Sequence, residues 1–263
     1  MPPLTAASTR VKEARKLSRR SVRAERRLFL VDGPNAVEAA LEVPGRVLEV
    51  FATGAAVETY GAILAQAPVT LVDDRALASL SDSVTPAGVV AVCRFLDVDL
   101  AELVSTGESP VVVCADVRDP GNAGTIIRTA DAVGAAGVVL AGTSVDPYNA
   151  KAVRASAGSL FHVAITVADD AASVVERLRG AGYRVLAADG AGEVDLFSAG
   201  DLLGGKVAWL FGNEAHGLPD DLAGQADHRV AIPILGRAES LNLATAAGVC
   251  LYATAAARAR IAP

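Results

Sequence analysis

Three segments in the later part of the chain carry residue types that could do chemistry. Asp116-Val-Arg-Asp-Pro-Gly-Asn-Ala-Gly-Thr-Ile-Ile-Arg128 joins an apolar run to a turn at Pro120 and Gly121, then brings Asn122 and Arg128 into a helical window. Leu210-Phe-Gly-Asn-Glu-Ala-His-Gly-Leu218 ends a second apolar run in a glycine-rich turn with Glu214 and His216. Ile232-Pro-Ile-Leu-Gly-Arg-Ala-Glu-Ser-Leu-Asn-Leu243 does the same with Ser240 and Asn242. In open α/β sheets, ligands bind outside the carboxyl ends of the strands, where such turns lie. Arg128, four residues after Gly124, is expected on the first turns of its helix. It either pairs with a carboxylate such as Asp131 or Asp116, or offers a forked cation to a phosphate. As a general base an arginine is awkward, because a guanidinium is nearly always protonated in proteins; that role would need transient deprotonation in a dry, closed site and stays open beside the phosphate-holding one. Gly212 and Gly217 permit tight turns and the close approach of a flat ligand. Ser240 and Asn242 are each suited to cap the helix that comes after them. His216 reads as a loop or interface histidine. With His162 and His228 it makes no ligand spacing with the cysteines, so no metal is expected.

The elements that must position these residues emerge from periodicity. Strands are expected over residues 111–116, 137–141, 163–167, 184–188, 207–211 and 230–234, with helical windows at 124–133 and 171–180 between them. Near-continuous apolar strands alternating with helices indicate a parallel sheet covered on both faces. Residues 242–260 read as a helix that is small or apolar up to Ala257. Such a helix must be buried all round, within the domain or at a subunit interface.

Earlier in the chain, residues 11–27 read as one helix and 28–31 as a short strand. Gly33-Pro34 opens a second helix. Strands are expected next at 46–52, 69–72 and 89–95, with helices at 57–67 and 75–80, the latter capped by Asp73. Residues 97–110 read as a linker with a helical turn at 100–104.

The chain has 263 residues, of which 52% are apolar and only 4% aromatic, so its core must be built from Ala, Val and Leu. No apolar run reaches the length of a membrane span. The basic N-terminal stretch is not expected to be a secretory signal. Cys93, Cys114 and Cys250 each sit in an apolar run and read as buried, reduced thiols of a cytoplasmic protein. The net charge of −6 hides an asymmetry: residues 10–27 hold nine basic residues against Glu13 and Glu25, a local +7, so the remainder carries −13. A basic stripe of this kind is an electrostatic footprint for phosphates, with Arg10, Lys12, Arg15, Lys16, Arg19 and Arg20 as its RNA-contact candidates. The plain alternative is a solvated helix.

In order and wording the three segments, with Asp146-Pro-Tyr-Asn-Ala-Lys-Ala-Val-Arg-Ala-Ser-Ala-Gly158 between the first two, resemble the motifs of the SPOUT methyltransferases, specifically the TrmH branch. The resemblance covers roughly residues 110 to 260. It implies an α/β protein whose C-terminal SPOUT domain has a parallel sheet and a deep trefoil knot, preceded by a small α/β domain similar to an RNA-binding ribosomal-protein fold. The expected organisation is a basic segment (1–27), a substrate-binding domain (28–97), a linker (98–109) and the methyltransferase domain (110–263). The implied activity is S-adenosylmethionine-dependent methylation of a ribose 2′-hydroxyl in structured RNA by a homodimer. Ribosomal RNA is favoured over transfer RNA, because the N-terminal extension resembles that of ribosomal RNA enzymes, the thiostrepton-resistance type among them. By this resemblance Arg128, Asn122, Glu214, Ser240 and Asn242 form the catalytic set, and Thr143, Phe211, Gly212, Ile232 and Leu241 meet the cofactor. A silent RNA-binding protein of the same fold is one alternative. Another is an ordinary nucleotide-binding domain, hinted at by the partial Gly-x-Gly of Asp189-Gly-Ala-Gly192.

Overall fold

The computed structural model describes residues 2–105 and 107–261, without the side chains of residues 260 and 261. Met1, position 106 of the expected linker and the last two residues of the expected 110–263 domain lie outside the described residues. The chain divides into two compact units, one of residues 1–96 with 146–162, the other of 97–145 with 163–263.

The first unit opens with α1 (Thr9–Arg15) and α2 (Arg20–Arg26), not with one helix. Arg19 between them is extended, which breaks the helical ladder. The carbonyls of Leu17 and Ser18, left without intrahelical donors, accept from Arg23 Nη1 at 2.9 and 2.8 Å. Next come β1 (Leu28–Asp32), α3 (Pro34–Glu42), β2 (Val47–Ala52), α4 (Gly54–Thr59), α5 (Gly61–Leu64), β3 (Val69–Leu71), α6 (Asp74–Ala78) and β4 (Val89–Arg94). The expected cap is in place, since Asp73 accepts from Ala76 N at 2.7 Å. The strands form a mixed sheet in the order β1-β4-β2-β3. Val11, Ala14 and Leu17 pack with Phe51, Leu77 and Val90 in its core, so the basic segment is part of this fold and not an appended arm.

The second unit starts with α7 (Leu100–Val104), β5 (Val111–Ala115), α8 (Pro120–Ala132) and β6 (Gly137–Ala141). Leu100 and Leu103 join its core and Val98 N donates to Ile165 O at 2.8 Å, so the expected linker is built into the unit. Residues 146–162, inside the expected methyltransferase range, pack instead with the first unit. They carry α9 (Ala150–Ser156), a helix too short for periodicity to mark. Tyr148 stacks on Phe95 with ring centroids 3.8 Å apart, and Phe161 stacks on Phe29 at 6.1 Å. Asp146 Oδ2 accepts from Arg23 Nε and Nη2 at 2.9 and 2.6 Å. In a chain this poor in aromatics, that cluster and the buried ion pair decide where the segment goes.

The second unit continues with β7 (Ala164–Ala168), α10 (Ala171–Gly180), β8 (Arg184–Ala188), β9 (Val194–Asp195), β10 (Val207–Phe211), α11 (Asp220–Ala223), β11 (His228–Ala231) and α12 (Leu243–Ile261). Seven strands pair in the order β7-β6-β5-β10-β8-β11-β9, every described pairing parallel. All five residues of β5, of β6 and of β10 are buried, as a sheet covered on both faces requires. One face packs Val139, Val174, Leu178 and Leu210 together. On the other, Trp209 Nε1 donates to Thr254 Oγ1 of α12 at 2.9 Å. β11 stops at Ala231, three residues short of expectation, which frees Ile232, Pro233 and Ile234 from the ladder.

Candidate active site

The three chemistry-bearing segments meet at the carboxyl end of this sheet. Helix α8 begins at Pro120, four residues earlier than expected, because Asp119 caps it by accepting from Asn122 N at 2.9 Å and Pro120 needs no donor at the first helical position. Asn122 therefore sits in the first turn. Its Nδ2 donates to Glu214 Oε1 at 3.1 Å, and its Oδ1 accepts from Asn242 Nδ2 at 3.0 Å. Glu214 also accepts from the backbone N–H groups of Asp119 at 2.9 Å and Arg118 at 3.1 Å. Asn242 is the cap of α12, accepting from Ala244 N and Thr245 N. Ser240 is not that cap. One hydrogen-bonded chain thus ties the second segment to the first and the first to the third.

Partial burial pushes the Glu214 carboxyl up, but the donors from Asp119, Arg118 and Asn122 outweigh it, and the net effect holds the group below its ordinary value. An ionised, fully engaged carboxylate is an acceptor and an anchor, not a proton donor. Asp116 is pinned the same way, with a left-handed φ of 56° at the end of β5. Its Oδ1 accepts from Thr143 Oγ1 at 2.6 Å and Thr143 N at 2.7 Å, which hold its carboxyl low despite some burial. Arg118 Nη2 donates to the same Thr143 hydroxyl at 2.9 Å. A cleft of about 900 Å³ opens beside Asp116, Arg118, Glu214 and His216. His216 is exposed, its Nδ1 3.2 Å from Asn213 Oδ1.

A second cavity, of about 370 Å³, lies past the ends of β8 and β11. Ile232, Ile234 and Leu241 give it apolar walls, and Asp189, Glu239 and Ser240 its polar side chains. Its size falls within the range of small-molecule sites, and an apolar slot with few polar groups suits a purine nucleoside. Sequence reasoning did not single out Asp189 and Gly190, which line this cavity. Their signal was the partial Gly-x-Gly after β8, whose Gly192 is needed for packing, since a Cβ there would lie 2.7 Å from the backbone of Arg229.

The other expected site residues fall elsewhere. Arg128 lies eight residues into α8, over two turns from its start, not on the first turns. It is exposed, and among the described residues no hydrogen bond or ion pair holds it, so pairing with Asp131 or Asp116 is not seen. Thr143 serves Asp116 and Arg118, and Phe211 is buried against Trp209. Gly212 is required by the loop itself. A Cβ there would come within 2.3 Å of the Gly217 backbone, which pairs with Asn213 through two 2.9 Å hydrogen bonds. Gly217 meets its own demand with φ 67°. The three cysteines are buried, and burial pushes each thiol to about 12, so none is a nucleophile. No group of metal-ligating side chains occurs among the described residues.

A family model described as the SpoU rRNA Methylase family matches residues 109–252. The chain belongs to the SpoU rRNA methylase family. A second model, an MRM3-like substrate binding domain, matches residues 8–91. Among relatives, the 23S rRNA (guanosine(2553)-2′-O)-methyltransferase RlmP of Bacillus subtilis is 31% identical over 94% of this chain and 96% of its own length. Of solved structures, the AdoMet-bound rRNA methyltransferase of Sinorhizobium meliloti superposes with a TM-score of 0.85 at 34% identity, over 96% of this chain and 97% of that one. The SpoU methyltransferase AviRb of Streptomyces viridochromogenes, in complex with AdoMet, gives 0.85 at 30% identity over 97% and 99%. The TrmH-type resemblance and the α/β fold class therefore stand, and the family match sets aside the ordinary nucleotide-binding domain. No helix among the described residues is long and apolar enough to cross a membrane.

Proposed function

We propose that this protein methylates a ribose 2′-hydroxyl of 23S ribosomal RNA, with S-adenosylmethionine as donor. The observation that carries the reading is the Glu214–Asn122–Asn242 chain, which fixes three loops of a SpoU-family sheet next to a nucleoside-sized cavity. The cofactor, when bound, supplies an electrophilic methyl group. Ile232 and Leu241 would hold its adenine between apolar faces, and Ser240 and Asp189 would meet its polar edge. Asn122 and Asn242 set the rim toward the substrate, while Glu214 locks the rim without giving up a proton. Arg128 is the phosphate-holding residue, its fork gripping two oxygens so that the hydroxyl is held in line for attack.

The protein acts as a homodimer through α12. Ala244, Ala247, Cys250, Leu251 and Thr254 are buried within the unit, but Thr245, Tyr252 and Ala256 form an exposed stripe, with Tyr252 58% exposed. A second copy covering that stripe and completing the substrate site would account for Arg128 standing apart from the Glu214 chain. The trefoil knot and the cytoplasmic location belong to the same reading, the latter supported by an rRNA substrate and three buried, unpaired thiols.

Mapping 2′-O-methyl groups in cells with and without the gene tests the proposal. One 23S position should lose its methyl group and regain it with the wild type but not with Arg128→Ala or Arg128→Lys. A loss confined to transfer RNA would move the substrate. Unchanged methylation of all RNA, with RNA binding intact, would make the protein a silent binder.

A further inference from the structure

A cavity of about 190 Å³ lies wholly within the first unit. Leu30 and Tyr148 contribute to an apolar wall, and Asp32, at the end of β1, supplies a carboxylate. Arg15 and Arg154 also line it, and both are exposed. Asp82, a second carboxylate on the lining, is 3.8 Å from Arg154, and among the described residues nothing pairs with Arg15. Ser81 Oγ donates to Asp32 Oδ2, and no other donor among the described residues reaches that carboxylate. Burial, and to a smaller extent the Asp82 charge, push the Asp32 carboxyl up, against the opposing pull of Ser81 and of the Arg154 charge. A half-buried carboxylate with so few donors is stabilised by any ligand that brings N–H groups to it.

We propose that this cavity binds one unpaired guanine of the RNA substrate, with its N1–H and N2–H groups donating to Asp32 and Arg15 and Arg154 taking the flanking phosphate. The inference rests on the RNA-substrate reading above. Size limits the ligand to one base, since the cavity is smaller than the roughly 300 Å³ at which pockets begin to hold larger molecules. Edge chemistry selects the base. Guanine alone has two adjacent donors on its Watson–Crick edge. Adenine and cytosine set one amino group beside a ring acceptor, and uracil sets its one N–H between two carbonyls that a carboxylate repels. Reading an unpaired base by its edge is the usual way RNA sequence is recognised. No residue of the second unit lines the cavity, so the guanine is a second nucleotide, not the one methylated.

The full-length protein, saturated with S-adenosylhomocysteine to occupy the cofactor cavity, is titrated with GMP, IMP, AMP, CMP and UMP by ligand-observed NMR. GMP should bind roughly five- to a hundredfold tighter than IMP, which lacks only the N2 amino group, the range of one good bidentate pair. Asp32→Asn should erase that preference, and Arg15→Gln should weaken all five nucleotides alike. Equal affinity for GMP and IMP overturns the proposal, and this comparison needs no protein variant. A preference that survives in folded Asp32→Asn overturns it too. Methyl transfer to 23S RNA by the wild type is measured alongside. Its absence would sink the RNA-methylation reading, whereas its presence without a GMP preference would sink only the guanine site.

Discussion

Asn122 and Asn242, 120 residues apart in the chain, share a hydrogen bond of 3.0 Å, and Asn122 spends its remaining amide group on Glu214. The first turn of α8 and the first turn of α12 are therefore set against each other by one side chain.

Asn122→Ala removes both bonds at once. Single-turnover methyl transfer should fall by about a hundredfold, the cost of a misplacement near 1 Å. S-adenosylhomocysteine affinity by calorimetry should hold, because Asn122 does not line the cavity of Ile232 and Leu241. A parallel loss of cofactor binding would show that the two sites are not separable.

Gly212→Ala should destabilise the protein even without cofactor. The added carbon meets backbone and not a flexible side chain, so the Asn213–Gly217 pairing must open, at about 1–3 kcal/mol. Thermal unfolding of the cofactor-free protein reads this. An unchanged midpoint would mean that the loop gives way freely.

Ile232→Ala and Leu241→Ala should each weaken S-adenosylhomocysteine by about tenfold, the loss expected for a truncated apolar contact. Calorimetry decides, and full affinity in both variants would place the adenine elsewhere.

Asp146→Ala leaves the guanidinium of Arg23, a residue only 4% exposed, without its carboxylate. Breaking a buried pair from one side costs about 3–5 kcal/mol. Chemical denaturation should register a loss of that order, well beyond that from Glu13→Ala, whose partners Lys16 and Arg26 keep much of their contact with solvent.

The basic segment cannot be tested by deleting it, since Val11, Ala14 and Leu17 are core. Arg10 pairs with Glu49 and Lys16 with Glu13, which leaves Lys12, Arg15, Arg19 and Arg20 exposed and without partners among the described residues. Arg19→Gln with Arg20→Gln should weaken RNA binding and reduce the log–log salt slope by about 0.7–0.9 per lost phosphate contact. Affinity measured at several salt concentrations checks it, and an unaltered slope would make the segment a solvated surface.

Much of the sheet was legible because its strands are buried on both faces and read as continuous apolar runs. Residues 137–141, 184–188 and 207–211 match their strands end for end. β9 was missed, being two residues long. The start of α8 was legible in principle from Asp119-Pro120, a cap next to a proline, but the glycines after it drew the boundary inward. The network at Glu214 is not legible in the sequence, since long-range partners leave no periodic trace; the structure brings Glu214, Asn122 and Asn242 together but leaves Arg128 apart. Arg128 lies farther from the strand end than its spacing from Gly124 implies, because α8 starts at Pro120. Of the two readings of Gly212, the tight turn is the one the structure explains, since a Cβ there would meet the backbone of its own loop.

The Arg23–Asp146 pair also bears on how the chain is made. The two residues are 123 positions apart, and Tyr148 and Phe161 come later still. At about 5–20 residues per second, synthesis delivers Asp146 roughly six to twenty-five seconds after Arg23. Until then the nascent first unit holds an uncompensated guanidinium and an unfilled place beside Phe29 and Phe95. It cannot close vectorially, because β5, α8 and β6 of the second unit must leave the ribosome first. A chaperone acting on this protein would find its client in that interval.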